Sequence, residues 1–510
     1  MSNLRYPFIK KRKGVSKRKS LIFFSILLNL LFNYVVLVSK VSSQVPSFEQ
    51  KPDSQPELTN KRELNLTLSD VIVLALQNNI NLKNAYLQRI IDRNDLAVAK
   101  DKFKPNITPE VSVNYNLNQF GSTSTNTSNL ALGGNVTLKI PTGADIQAQL
   151  QGEGRAQDNS GFNQNVTLSF NQPLLRGGGV NLNRISLDLA QQQERANILF
   201  LKSTINQTIT DVILAYLNLF RTQEQLKITQ LSLERAKRQL EITKAFIEAG
   251  RQARIDLVES ETAVANRQVD LLEAQNLLDE ARLALIQTLN IDRNLAIVAQ
   301  EIPPSLLESQ NVSIDRQLEL AFANNPDYLR SLISLEQANL NLVLAKDSRK
   351  WQLNFSINYD LNNDDSQDNQ TDLRTGLNLQ REFGNLEIEQ AVERSQVNIT
   401  RQENLVKQQQ DNLEIQVVNA LRNINDNLRK LEQAQKAREL SAQQLENERE
   451  KLKLGVRGSR LIDVLNFEDD LVEAENTELN ARIDYLTALV NLDLTVGNTL
   501  DRWGVKISDE

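Results

Sequence analysis

The polar and apolar positions of this chain follow two different rhythms. Val111, Val113, Tyr115 and Leu117 alternate with Ser112, Asn114, Asn116 and Asn118, and the alternation returns at Val136, Leu138 and Ile140, at Ile146, Ala148 and Leu150, and at Val166, Leu168 and Phe170. Late in the chain Leu353, Phe355, Ile357, Tyr359 and Leu361 repeat it, followed by Leu373, Leu377 and Leu379. A period of two marks strands with one apolar face. The polar partners are Asn, Ser, Thr and Gln rather than charged residues, and each segment has about the 9–11 residues that carry a tilted strand across a bilayer. After the first cluster the period changes. Ile205, Val212, Leu219, Leu226, Leu233, Leu240 and Ile247 are spaced by seven without a miss, which predicts a coiled-coil helix. Running from about Asn181 to Ala249, it would reach roughly 100 Å at 1.5 Å per residue, too long to fold back into a compact domain.

Each rod ends at a glycine, Gly250 in EAGRQARIDLVESE and Gly455 in KLGVRGSRLIDVLNFEDD. Glycine takes the left-handed conformation that stops a helix, and Asp256 or Asp463 stands where it can cap the helix that returns. Return seams follow at Leu257, Val264, Leu271, Leu278 and Leu285, and at Leu465, Val472, Leu479 and Leu486. The chain is also written twice. Leu74–Asn79 (LALQNN) matches Leu320–Asn325 (LAFANN), Ala99–Asp101 matches Ala345–Asp347, and SVNYNLN at 112–118 reappears as SINYDLN at 356–362. The duplication predicts a first repeat over 66–298 (strands about 107–171, helical hairpin about 181–289). A linker at 299–312 leads to a second repeat over 313–500 (strands about 352–382, helical hairpin about 385–497) and a tail at 501–510.

Composition narrows the chemistry. The 510 residues include no Cys and no His, which removes thiolate and imidazole metal sites, Cys nucleophiles and His bases. No catalytic cluster, phosphate loop, cofactor motif or metal-ligand spacing is present, and the Asp- and Asn-rich stretch 362–372 lacks the Gly and terminal Glu of a calcium loop. An enzyme is not expected. The first 43 residues hold nine Lys and Arg, no acid, and the apolar run Leu21–Val38, with VSSQ beyond it. This is the layout of an export signal cut after about Ser43; retained, the same run would be an anchoring helix. Residues 44–65, rich in Pro, Gln and Ser, read as a flexible leader. Without the nine cations the formal charge of −6 becomes −15, which argues against nucleic acid as a partner.

Strand clusters that begin and end in helices enter and leave the membrane on one side, so each repeat holds an even number of strands. Two repeats supplying two strands each, taken three times, would close a twelve-stranded barrel. The first repeat, however, has four alternating segments, and the pair around KIPTGADIQ is either a long external hairpin or additional wall.

The duplicated LALxNN start, the QPLLRGGG strand-to-helix junction at Gln172–Gly179 and the paired Gly-to-Asp turns resemble the TolC-type outer-membrane efflux protein family. The second repeat departs from this, replacing the junction by LQREFGNLE and keeping only Gly384. The resemblance implies a mostly α chain with membrane β. Its homotrimeric barrel, with strands shared between protomers, would continue as a long α-helical coiled-coil tunnel into the periplasm. It further implies a passive outer-membrane channel for efflux or type I secretion, serving an inner-membrane transporter of RND or ABC type through a periplasmic membrane-fusion adaptor. In such channels charged contacts close the periplasmic tip. Carried over by position, the gate residues are Asp256, Glu259, Arg457 and Asp463, with an Asp256–Arg457 latch, and the adaptor-docking tip is Gly250, Arg251, Gly455, Val456, Gly458 and Ser459. The plainer alternative makes Asp256 and Asp463 helix caps and Arg457 a solvated cation. Against the channel as a whole stand an exported coiled-coil structural or adhesive protein and a periplasmic adaptor.

Overall fold

A computed structural model describes residues 63–121, 123–155, 163–300, 302, 313–363 and 370–505. The segment read as an export signal, residues 44–62 of the leader and most of the linker lie outside the described residues; Glu63–Asn65, read as the end of the flexible leader, are instead strand, held by parallel pairing to Ala296–Val298. The described elements begin with β1 (Glu63–Leu66), α1 (Leu68–Asn78) and α2 (Ile80–Asp101). Four strands follow: β2 (Asn106–Phe120), β3 (Thr123–Lys139), β4 (Asp145–Arg155) and β5 (Asn163–Pro173). The helical hairpin α3 (Val180–Glu248) and α4 (Ile255–Leu289) leads to β6 (Ala296–Ala299). The second half runs α5 (Ile314–Asn324), α6 (Pro326–Ser348), β7 (Gln352–Asn363), β8 (Gln370–Gln380), α7 (Leu386–Leu454), α8 (Leu461–Val496) and α9 (Thr499–Arg502).

The two long helices are 69 residues each, about 100 Å at the standard rise. Heptad spacing explains their burial. Ile205, Val212 and Leu219 are fully enclosed where α3 meets the smaller helices, while Leu226, Leu240 and Ile247 are half-buried toward the tip. In α8 the inner line passes through Val464 and Leu471, at 1% and 6% exposure, rather than Leu465 and Val472. An α-helix has 3.6 residues per turn, so a strict seven-residue line drifts around it by about 20° per heptad, and the contact moves to the neighbouring residue.

The duplicated Asn-Asn pair has a definite task. Asn79 breaks α1 from α2: its side-chain oxygen accepts from the Leu82 amide at 3.1 Å, and its Nδ2 donates to the Thr288 carbonyl at the end of α4 at 2.9 Å. Asn325 does the same between α5 and α6, accepting from the Tyr328 amide at 3.0 Å and donating to the Thr495 carbonyl at the end of α8 at 2.9 Å. One side chain thus starts a helix and ties it to the end of that half's return helix. Close by, Tyr216 of α3 places its hydroxyl 3.0 Å from the Leu66 carbonyl and 2.9 Å from that of Gln300, joining α3 to the parallel pair β1–β6. Burial pushes this phenol up to about 12.

All the longer strands belong to one antiparallel sheet, in the order β2-β3-β4-β5-β7-β8. The first half therefore contributes four strands and the second two, not two from each. The segment around KIPTGADIQ is the turn between β3 and β4, and both of its strands are bonded into the sheet.

Two outcomes test these joints. Asn79→Ala and Asn325→Ala should each lower stability by about 0.5–2 kcal/mol, the usual range for a lost helix cap, in denaturant unfolding of the detergent-solubilised protein. Asp493 of α8 is buried beside Arg502 at 2.9 Å, and burial, outweighing the arginine, raises its carboxyl to about 6. The folded state then holds a proton that the unfolded state gives up near pH 4, so stability should fall as pH rises from about 4 to about 6, by up to roughly 3 kcal/mol. Asp493→Asn should flatten that slope.

Candidate functional site

The sheet has two chemically distinct faces, and they are continuous across all six strands. The ladder aligns Val111 with Leu132, Val136 with Ala148, Ile146 with Phe170, Phe170 with Ile357, and Phe355 with Leu377, so one face is apolar from edge to edge. Phe170 and Phe355 meet edge to face on it, with centroids 6.5 Å apart. The opposite face aligns Asn114 with Asn129, Asn135 with Gln149, Gln149 with Thr167, Thr167 with Asp360, and Asn358 with Arg374. Thr167 donates to Asp360 at 2.8 Å across that face, and Arg374 reaches Asp360 at 3.4 Å. A sheet this divided separates hydrocarbon from water. At its helix-side margin Trp351 and Phe383 pack edge to face at 5.9 Å, with the Arg381 guanidinium 5.2 Å from each ring, a grouping suited to a membrane boundary.

At the other end of the long helices, each tip is a glycine-capped turn. Gly250 has φ +67°, with Gly250 N–H donating to Ile247 and Arg251 N–H to Phe246. Gly455 has φ +68°, with the same pair of bonds to Leu452 and Lys451. These are Schellman caps. Arg251 links the two turns: its guanidinium lies 4.9 Å from the Phe246 ring and donates to the Lys453 carbonyl at 3.3 Å. In the second turn Ser459 donates its hydroxyl to the Val456 carbonyl at 2.8 Å, Gly458 has φ +98°, and Val456 is about half exposed.

Between the tips and the core, α3, α7 and α8 enclose a charged cluster. Glu468 of α8, 7% exposed, receives Arg235 of α3 on one oxygen and Arg449 of α7 at 2.6 Å on the other. Arg235 also reaches Glu475 at 3.2 Å. Burial works against the Arg235 charge, but Glu468 and Glu475 outweigh it and raise its pKa. Next to this cluster Arg267 of α4 bridges Asp469 and, at 3.0 Å, Asp270. Glu259, Arg267, Arg449 and Glu468 line a cavity of about 340 Å³ there. The cluster lies 15 residues above Gly250 along α3, about 22 Å at the helical rise. It contains the buried ionic joints between the first helical hairpin and the second among the described residues.

Residues 71–290 match the model of the outer membrane efflux protein family. Solved structures share the fold over most of the chain. The outer membrane channel CmeC of Campylobacter jejuni aligns with TM-score 0.64 and 15% identity, over 85% of this chain and 86% of its own. The outer membrane protein VceC of Vibrio cholerae gives 0.65 and 14%, over 84% and 96%. The outer membrane channel MtrE of Neisseria gonorrhoeae gives 0.64 and 17%, over 85% and 89%. No curated protein sequence matches the chain. Over most of its length the chain therefore has the fold of these outer-membrane channels, and the efflux-family match covers its first repeat.

Within one chain no ion pair joins Asp256 to Arg457. Asp256 sits in the first turn of α4 without a side-chain cap bond, and Arg457 is exposed. Asp463 is held by Arg460, at 2.7 and 3.1 Å, and these bonds lower its carboxyl below the usual range. Of the four gate candidates Glu259 alone lines the charged cavity. Sequence reasoning missed Arg235, Arg449 and Glu468, because each looks like an ordinary flank of a heptad seam until the two hairpins are set side by side. Glu468→Ala would leave two arginines facing a void. It should cost about 3–5 kcal/mol, the range for breaking a buried pair, and speed hydrogen exchange in the tip-side turns of α3, α7 and α8.

Proposed function

We propose that copies of this chain, three in the arrangement the efflux family implies, close into one passive conduit for substrates, gated at the periplasmic end. The observation that carries this is the open sheet. β2 and β8 are its two edges, each pairs on one side only, and they run in opposite directions, so β8 of one copy can pair antiparallel with β2 of the next. Open strand edges are not tolerated in hydrocarbon, and closure removes them. The helices support the same joint. The edge helices α2 and α7 lead into β2 and out of β8, and both expose apolar side chains, Leu87, Ile90, Ile91 and Val98 on α2 and Leu405, Ile415 and Val418 on α7.

The gate is assigned to the Arg235–Glu468–Arg449 cluster, with Glu259 beside it. An exposed ion pair contributes only about 0–1 kcal/mol, whereas this one is enclosed and joins the two hairpins whose separation would widen the tip. Asp256 and Arg457 remain candidates for contacts between neighbouring copies. The paired turns, with Leu454, Val456 and Ile255 exposed beside Gly250, Arg251, Gly455, Gly458 and Ser459, offer an apolar knob for a periplasmic adaptor, through which an RND- or ABC-type transporter would deliver cargo.

Planar-bilayer recording tests both parts. Discrete channels are expected from the purified protein, with Glu468→Gln raising open time or conductance at least severalfold. If Asp256→Ala with Arg457→Ala does so and Glu468→Gln does not, the gate lies between copies at the tips instead. Silence from a verified folded oligomer would sink the conduit.

A further inference from the structure

We infer that the β3–β4 hairpin is part of the pore wall, giving six strands per protomer and an eighteen-stranded barrel, wider than the two strands of each repeat's shared plan would build. The inference rests on the conduit reading above. The second half shows the shared plan: helix, β7, β8, helix, with β7 and β8 paired directly. In the first half β2 corresponds to β7 through the shared heptapeptide, yet β2 pairs with β3 and β5 with β4. The hairpin has been spliced between two strands that would otherwise be partners.

Three observations keep it in the wall. The first is the ladder: β4 is bonded along its length to β3 from Asp145 to Arg155 and to β5 from Asp145 to Glu153, leaving no flap free to swing outward. The second is the two-faced pattern. Leu130, Leu132, Val136 and Leu138 on β3 and Ile146, Ala148 and Leu150 on β4 continue the apolar face, while Asn129, Asn135 and Thr137 on β3 and Gln147, Gln149 and Gln151 on β4 continue the polar one. An external hairpin would have no hydrocarbon to meet such a row. The third is its anchorage at the helix-side margin. Ala144 in the turn is 2% exposed, the Thr142 carbonyl accepts from the Gly179 amide at 2.9 Å, and a Cβ on Gly143 would stand 2.4 Å from the Gly177 carbonyl oxygen. The turn is wedged into the glycine-rich junction that starts α3.

Width follows from strand count. With strands about 4.8 Å apart and tilted about 40°, twelve strands enclose a backbone diameter of about 24 Å and eighteen about 36 Å, roughly doubling the cross-section. Four helices per protomer meet the sheet (α2, α3, α6 and α7). Twelve of them in a ring, with axes about 9 Å apart, span about 35 Å; the same ring would flank a twelve-stranded wall, so the strand count rests on the ladder. The lumen row is made largely of carboxamides and hydroxyls. The cargo class admitted is therefore bulky, hydrated solutes that a twelve-stranded bore of this kind would exclude.

The chain has no native cysteine, so single thiols report cleanly. Asn135→Cys, Val136→Cys, Gln149→Cys and Leu150→Cys would each be made in the full chain and reconstituted in lipid. Modification by a charged, water-soluble thiol reagent and by a membrane-dissolved maleimide would be read by mass. The wall requires the charged reagent to modify positions 135 and 149 and spare 136 and 150, with the maleimide showing the reverse. Equal modification of all four by the charged reagent in conducting channels would overturn the inference and leave the conduit intact. Neutral polymers of graded size give a second reading: a variant lacking residues 123–155 should exclude polymers that enter the full-length pore. An unchanged cut-off in that variant would overturn the wider bore. Absence of channels in every preparation would overturn the conduit, and the inference with it.

Discussion

A strand in hydrocarbon must find partners for its backbone N–H and C=O groups, and this requirement governs the rest of the molecule. Each unpaired group there would cost several kcal/mol, so the six-stranded sheet cannot stand with β2 and β8 open. The helices inherit that constraint. Because every strand cluster begins and ends in a helix on the same side, closing the sheet also fixes a ring of helices beneath it. The apolar stripes of α2 and α7 lie where two such edges would meet. A single demand of backbone chemistry thus sets the direction of the strands, the even strand number in each half and the placing of the long helices.

Duplication supplies the means. Two halves with equal long helices of 69 residues, and return helices of 35 and 36, present nearly equivalent walls. The Asn79 and Asn325 joints set the same bend in each. Where the halves differ, the differences are informative. The end of α4 is capped by Asn290 with φ +52°, whereas α8 ends in Gly497, where a Cβ would lie 2.6 Å from the Asn324 carbonyl oxygen. The second half packs more closely at this bend and tolerates no side chain there.

Much of this was legible in the residues, and the reasons are physical. Period-two alternation and seven-residue spacing each follow directly from backbone geometry, so the strands at Val111–Leu117 and the rod through Ile205–Ile247 could be read without any partner in view. The tip glycines were legible because few other residues adopt a positive φ without strain. What escaped was everything that depends on two distant segments meeting. Glu468 and Arg235 are 233 residues apart, and nothing local distinguishes them from the many exposed charges on the same helices. The placing of the β3–β4 pair was open for the same reason: alternation gives the faces of a strand but not its neighbours.

The wedge between Gly143 and Gly177 bears on how such a chain could have arisen. Inserting a hairpin between two partnered strands demands a turn tight enough to tuck under the strand end and a junction bare enough to receive it. The first half has both, in Gly143 and the run Gly177–Gly179; the second half, with no inserted hairpin, has only Gly384 at the corresponding place. The bare junction serves its own strand-to-helix turn, with Gly177 and Gly179 at φ +79° and +104°, and also receives the hairpin. A side chain at Gly143 would push the hairpin's turn out of the junction, whereas loss of the hairpin would leave Gly177 and Gly179 still held to glycine by their own positive φ.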